Sequence, residues 1–253
     1  MYRIRAAICT HCRWLFVALL LIGPAVASAR PASAEEAASP GTIAAWGDNS
    51  YGQATVPPGL ADVTTVAGGR YHSLALKSDG TVTAWGDNTA GQSTVPGGLA
   101  HVIAVAAGAD HSLALKSDGT VVAWGWNAYG QSTVPTGLSD VIAVAAGANH
   151  SLALKSDGTV VAWGDNSSGQ ATVPPDLANV TAIAGGQFHS LALKSDGTVV
   201  AWGWNAYGQS TVPAALANVT AIAAGAYHSL ALKSDGTAVA WGDNSRGQST
   251  VPG

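Results

Sequence analysis

Charge is scarce in this 253-residue chain: Asp, Glu, Lys and Arg together make up 10% of it, against roughly a quarter in ordinary soluble proteins. Cysteine is almost missing, with two residues, Cys9 and Cys12, both at the extreme N-terminus. Glu, Lys and Leu, on which helix-rich globules lean, are sparse, and no window combines helical apolar spacing with caps. These shortages exclude a coiled coil and a charged disordered chain. In their place stand 31 Gly, 11 Pro and 9 Trp, with 47% hydrophobic residues. That mixture favours short strands joined by tight turns.

The first 34 residues read as a leader. Arg3, Arg5 and Arg13 precede an apolar run from Trp14 to Val26, and small residues follow at Ala27-Ser28-Ala29 and Ala32-Ser33-Ala34. A basic start, a short apolar core and small-x-small sites describe a secretory signal peptide. Cleavage is expected after Ala29 or Ala34, with Ala34 preferred; an uncleaved anchor is the alternative. The apolar run is too short for a spanning helix, so no stable membrane insertion is expected once the leader is gone. The C-x-x-C pair leaves with it, which removes any zinc or redox reading and leaves stability to packing alone. Residues 35–40 form a linker, and a secreted or periplasmic location follows. From Glu35 onward there are 7 Lys and Arg against 15 Asp and Glu, so the formal charge moves from −4 for the whole chain to 7 − 15 = −8. An acidic domain without clustered Lys or Arg is not a nucleic-acid binder.

Residues 41–253 repeat themselves. Trp46, Trp85, Trp124, Trp163, Trp202 and Trp241 are spaced by 39, and so are His72, His111, His150, His189 and His228. A fixed period of this size signals a repeat architecture. Within a unit, Leu74 and Leu76 alternate with small residues as a half-buried strand requires. Ser78-Asp79-Gly80 makes a tight turn, and Thr81 to Trp85 returns. Val63 to Ala67 is the first strand, and Ser93-Thr94-Val95 before Pro96 is expected as a fourth, edge-like strand. Four short strands per unit point to an all-β fold, a β-propeller of 39-residue blades. There are five full units and an N-terminal half, Gly41 to Pro57, so about five and a half blades. An open arc, an irregular ring and closure through a second copy, a homodimer, all remain compatible with the sequence.

The segments G-x-x-H-S-L-A-L-K-S-D-G and A-W-G-x-N-x-x-G-Q, present in every full unit, resemble the regulator of chromosome condensation repeat family. That resemblance implies a propeller, seven-bladed in its known members. The short blades, the T-V-P ending and the leader are most similar to the secreted β-lactamase-inhibiting propellers. It further implies a partner-binding face built from aromatic and acidic loop residues, and a protein partner of the β-lactamase type.

Several residues invite a chemical reading. Five His, Ser and Asp recur in H-S-L-A-L-K-S-D-G, but His72 and Ser73 are adjacent on a strand and face opposite sides. A mechanism copied five times is less economical than a structural requirement copied five times, so no catalytic set is expected and the protein is read as a non-enzyme. The histidines lack Cys or carboxylate partners at ligand spacing, and the glycines lack a phosphate-loop pattern, so no metal or cofactor is expected.

Much of what varies between units lies at the x positions of G-x-x-H and W-G-x-N-x-x-G-Q; the V-P-x-x-L connections vary too, but only among small and polar residues. Apart from the six W-G tryptophans, residues 35–253 hold eight aromatics: Tyr51, Tyr71, Trp126, Tyr129, Phe188, Trp204, Tyr207 and Tyr227. All lie in those two windows, which an up-and-down blade places at the same end. They form the expected partner-binding set, since exposed Trp and Tyr dominate binding hot spots, and the resemblance implies Arg70, Asp110 and Arg246 as polar members of it. Carbohydrate or cell-wall binding by stacking on Trp126 and Trp204 is the second reading. A guanine-nucleotide exchange regulator is the third.

Overall fold

In the computed structural model, which describes residues 43–252, those residues form fifteen strands and no helix. The leader, both cysteines and the 35–40 linker lie outside the described residues. The strands make five separate antiparallel meanders. Blade one holds β1 (Val63–Gly68), β2 (His72–Lys77) and β3 (Val82–Gly86), and blade two holds β4 (Val102–Ala107), β5 (His111–Lys116) and β6 (Val121–Gly125). Blade three holds β7 (Val141–Ala146), β8 (His150–Lys155) and β9 (Val160–Gly164). Blade four holds β10 (Val180–Gly185), β11 (His189–Lys194) and β12 (Val199–Gly203), and blade five β13 (Val219–Ala224), β14 (His228–Lys233) and β15 (Ala238–Gly242). Register repeats from blade to blade: Ser73 faces Trp85 across β2 and β3, as Ser112 faces Trp124 across β5 and β6.

The expected fourth strand does not form, so each blade has three strands. Residues 93–95 are a turn running into extended chain without a sheet partner. Side chains take over the role of a ladder there: Ser93 N donates to Asn88 Oδ1 at 3.0 Å, and Asn88 Nδ2 donates to Thr94 Oγ1 at 2.8 Å. Thr94 N reaches back to Gly91 O at 3.0 Å. An asparagine side chain that satisfies local backbone removes the need for a strand neighbour.

The middle strand of blades one to four is buried on both faces rather than one. On β2, His72, Leu74 and Leu76 point toward blade two, while Ser73 and Ala75 point back. Leu74 and Leu76 pack against Val102, Val105, Ala107, Ala114 and Trp124 of blade two. The same apolar seam joins blades two and three, three and four, and four and five. Small Ser and Ala on the receiving face let the incoming leucines approach closely.

Polar links run through the same seams. Gln92 O accepts Ser112 Oγ at 3.0 Å and Trp124 Nε1 at 2.9 Å, and His72 Nε2 lies 2.9 Å from Ser112 Oγ. The glycine of G-x-x-H is dictated by this packing: a Cβ on Gly69 would fall 2.3 Å from His72 Cε1 and 2.6 Å from Gly108 O. At the strand ends near the axis, Arg70 N bonds Gly108 O, Ala109 N bonds Ala148 O, Ala148 N bonds Gly186 O and Gln187 N bonds Ala226 O. The first strands of the blades surround a central cavity of about 230 Å³ lined by small residues, among them Ala67, Ala106, Ala145, Ala184 and Ala224.

The series stops at the fifth junction. Among the described residues no bond continues it from Ala226 N to blade one. Leu230 and Leu232 are half-buried, whereas their eight counterparts are 5% exposed or less. At the other edge the described residues of the half unit form no strand, yet Gln53 O accepts Ser73 Oγ at 3.0 Å and Trp85 Nε1 at 2.9 Å like any other glutamine of the series. Trp46 is 46% exposed where the other five W-G tryptophans are at most 9% exposed.

Ser151→Ala removes the hydroxyl that binds Gln131 O and leaves the fully buried His111 Nε2 without its partner. An orphaned buried donor costs about 1–3 kcal/mol, so the thermal midpoint should fall by several degrees. Trp46→Ala, at the unmatched edge, should change stability by less than about 0.5 kcal/mol. Thermal denaturation followed by circular dichroism decides; equal shifts for the two variants would discard this account of the seam.

Candidate partner-binding face

The chain reverses at Gly69-Arg70-Tyr71 and leaves β3 at Gly86, and these two loops touch. Asp87 N donates to Tyr71 O at 2.8 Å, and Trp126, Asp165, Trp204 and Asp243 repeat the bond to Asp110, Asn149, Phe188 and Tyr227. Gly86 makes the contact possible: its φ is +100°, and a Cβ there would meet Tyr71 O at 2.5 Å. Both variable windows therefore lie at one end of the blades, with the S-D-G turns at the other.

At this end the structure gathers six of the eight aromatics into two groups. Tyr51 and Tyr71 stack at 4.6 Å between centroids, and the Arg70 guanidinium lies 4.6 Å from the Tyr71 centroid. Phe188, Trp204, Tyr207 and Tyr227 make a second group, with Trp204 5.7 Å from Phe188 and 5.4 Å from both tyrosines. Arg70 links the groups electrostatically, since its charge pulls the Tyr227 hydroxyl pKa down while burial, the larger effect, pushes it up. Trp126 and Tyr129 stand apart, 46% and 55% exposed and with no ring contact to the others. Asp110 is half-buried, and burial raises its carboxyl pKa against the opposing pull of Arg70. Arg246 is exposed on the last loop and joins neither ring group.

The two ends carry the same formal charge in different form: at the turn end five Lys stand against Asp62, Asp79, Asp118, Asp140, Asp157, Asp176, Asp196 and Asp235, so 5 − 8 = −3. Lys77, Lys116, Lys155, Lys194 and Lys233 all sit at the turn end, each paired with the aspartate two residues on at 2.9–3.5 Å. The aromatic end carries Asp48, Asp87, Asp110, Asp165 and Asp243 against Arg70 and Arg246, so 2 − 5 = −3.

Trp126 and Trp204 occupy a position where other units have Asp. In blade one that aspartate accepts the glutamine amide, Gln92 Nε2 to Asp87 Oδ2 at 3.0 Å, and in blade five Gln248 Nε2 to Asp243 Oδ2 at 2.7 Å. Behind the tryptophans, Gln131 and Gln209 keep a buried Nε2 with no acceptor. Gln170 shares that state although Asp165 is at hand, so the aspartate permits the bond without enforcing it. An unmet buried donor is unfavourable, and the scaffold tolerates it at three positions, two with a tryptophan and one with an aspartate in front.

The histidines and serines do converge, but across blades: His72 meets Ser112, His111 meets Ser151, His150 meets Ser190 and His189 meets Ser229, at 2.9–3.0 Å. Ser112 has a single proton, and it goes to Gln92 O. Its oxygen therefore accepts from His72 Nε2–H, so the imidazole is a donor and not a base toward that serine. These pairs are sealed from substrate inside the seams. Sequence reasoning missed this pairing, although a separation of 40, one more than the repeat, was the available signal. Among the described residues no group of three or more His, Cys, Asp or Glu is placed to hold a metal.

The family description "Regulator of chromosome condensation (RCC1) repeat" matches residues 63–92, 102–131, 141–170, 180–209 and 219–248. No curated protein matches the chain. Among solved structures, Prp20p from Saccharomyces cerevisiae is 28% identical with a TM-score of 0.66, over 78% of this chain and 61% of its own. Human WBSCR16 is 26% identical with a TM-score of 0.62, over 75% and 64%. The ectodomain of the Physcomitrella patens receptor kinase CR4 is 25% identical with a TM-score of 0.66, over 78% and 56%. The chain thus matches 56–64% of the length of these three structures.

The histidine seams make stability acid-sensitive. Burial, the largest cause in each case, holds His72 and His189 down at about 4 and His111 and His150 at about 3, from an ordinary 6.5. Unfolded, all four charge as pH falls below 6.5, whereas folded they stay neutral to about pH 4. The unfolded state thus binds more protons in that window, and the stability present above pH 6.5 is lost as pH falls. Four protons correspond to a slope of about 5 kcal/mol per pH unit at full development. The thermal midpoint should fall steeply between pH 6 and pH 4.5; a flat profile there would refute the neutral-histidine seam.

Proposed function

The chain belongs to the regulator of chromosome condensation repeat family, and from that premise we propose that it is an exported, non-enzymatic propeller that binds another protein through the aromatic end of its blades. The observation that carries this reading is the confinement of all eight variable aromatics to one end, on loops held by an otherwise uniform scaffold. Large, stiff, amphipathic rings bury much area at small entropic cost, which is why they anchor interfaces. A relative supports a protein partner in general, since Prp20p is described with binding properties to Gsp1p and histones. Export rests on the leader, and a mature N-terminus at Glu35 in secreted protein would support it.

A β-lactamase or related penicillin-recognising enzyme is the proposed partner. Purified protein should slow nitrocefin hydrolysis by at least one member of a panel of class A enzymes. Trp126→Asp and Trp204→Asp should each weaken that inhibition by about tenfold or more, as loss of a hot spot does. Because Asp is the residue of the other units, neither variant should lower the thermal midpoint. No inhibition across the panel discards this partner. Immobilised protein with Trp126→Asp/Trp204→Asp as reference, exposed to envelope fractions, tests the wider reading: it fails when nothing is retained by the wild type and lost by the variant. The exposed, ring-free Trp126 favours a sugar-stacking platform as second reading, for which glycan-array binding lost in Trp126→Ala is the test.

A further inference from the structure

We propose that the Phe188–Trp204–Tyr207–Tyr227 group seats a basic side chain of the partner, arginine above all. The inference rests on the reading of this end as a protein-binding face and names the chemistry it selects. Trp204, Tyr207 and Tyr227 form a triangle with centroid separations of 5.4, 5.4 and 5.7 Å and interplanar angles of 64–77°. The negative quadrupole of the indole and phenol rings attracts a cation placed over a ring face within about 6 Å of its centroid, and the clustering puts three such rings within one side chain's reach. The same chain already uses the interaction, with Arg70 over Tyr71.

A second observation comes from Gln187, which precedes Phe188 and is only 8% exposed. Its amide hydrogen-bonds toward the Tyr227 hydroxyl and lowers that group's pKa, while its Oε1 is buried with no partner. An unmet buried acceptor beside a cluster of rings calls for a donor. A guanidinium supplies both a flat cationic face for the rings and N–H groups for Oε1; an ammonium supplies the charge with less stacking. At Tyr227 the Arg70 charge acts more strongly than the opposing Asp243, and Asp110 lies within reach of Arg70 to offset it, so the negative charge is a property of the end as a whole. With an end charge of 2 − 5 = −3, a basic partner element is the complementary one.

The test titrates the protein with acetyl-Gly-Arg-Gly-amide, its Lys and Glu counterparts and tetramethylammonium chloride. The Trp204 indole N–H, assigned with Trp204→Phe, is followed in proton–nitrogen correlation spectra. Expected is a saturable millimolar response to the Arg peptide, weaker responses to Lys and tetramethylammonium, and none to Glu. Gln187→Leu should weaken the Arg peptide several-fold and leave tetramethylammonium unchanged, with the Trp163 indole signal reporting an intact seam. An equal response to the Glu peptide, or none to any cation up to about 50 mM, overturns the proposal. If the peptides fail while a partner is still captured through Trp204, the face binds protein by other chemistry and only this inference falls. If the Arg peptide binds but no partner is captured, the protein-binding reading fails instead.

Discussion

Five times along the chain a buried glutamine carbonyl accepts the indole N–H of the next W-G tryptophan and the hydroxyl of the next blade's serine. Most of the repeat's uniformity depends on this one node. Serine has no second proton, so the histidine of the preceding blade must donate to it. That histidine lies flat on the glycine three residues before it, so the glycine cannot carry a Cβ. Changing any member leaves a buried polar group unmet at about 1–3 kcal/mol, which is a large fraction of a domain's net stability. Three-stranded blades too small to bury their own leucines are thereby locked to their neighbours, as in any quasi-one-dimensional array.

The node also explains where freedom remains. Hydrogen bonds and packing occupy the seams and the strands, and the S-D-G turns are tied by their own aspartates, as Asp79 accepts from Thr81 N at 2.9 Å. The Lys–Asp pairs at that end are exposed and contribute little. Like the small and polar residues of the V-P-x-x-L connections, the side chains at the tips of the two opposite loops are left unspecified by the fold. Their backbones are nonetheless fixed, through bonds such as Asp87 N to Tyr71 O and Ala90 N to Gln92 Oε1. Variable side chains on a rigid frame are the arrangement a recognition surface needs.

Much of this was legible from sequence because the repeat exposes its own rules. The strand pattern of H-S-L-A-L-K, the Asp-Gly turn and the shared end of the two windows follow from period-2 alternation and chain reversal. The fourth strand was misread because Ser93-Thr94-Val95 has strand-like residues, while the deciding group, the Asn88 side chain, competes from outside the segment. The expectation of a half-buried middle strand failed for a related reason. Alternating Leu with Ser and Ala looks amphipathic, yet small residues mark a second packed face when another blade's leucines fill it. The His–Ser contacts needed two facts together, opposite faces on one strand and a neighbour displaced by one repeat.

Sequence could not separate Trp126 from Trp204, which sit in identical W-N-A-Y-G loops. Their surroundings differ through residues on other loops. Trp204 lies between Phe188 of its own blade and Tyr227 of the next, and both rings touch it. The corresponding neighbours of Trp126 are Asp110 and Asn149, which offer no ring, and Trp126 is left 46% exposed. A ring held in place before binding loses little rotamer entropy when a partner arrives, whereas a free one must be ordered at about 0.5–1.5 kcal/mol. The Trp204 group is therefore the preorganised anchor of the face. Trp126 and Tyr129 add area whose benefit depends on how firmly the partner holds them, so one loop sequence serves two physical roles on a single scaffold.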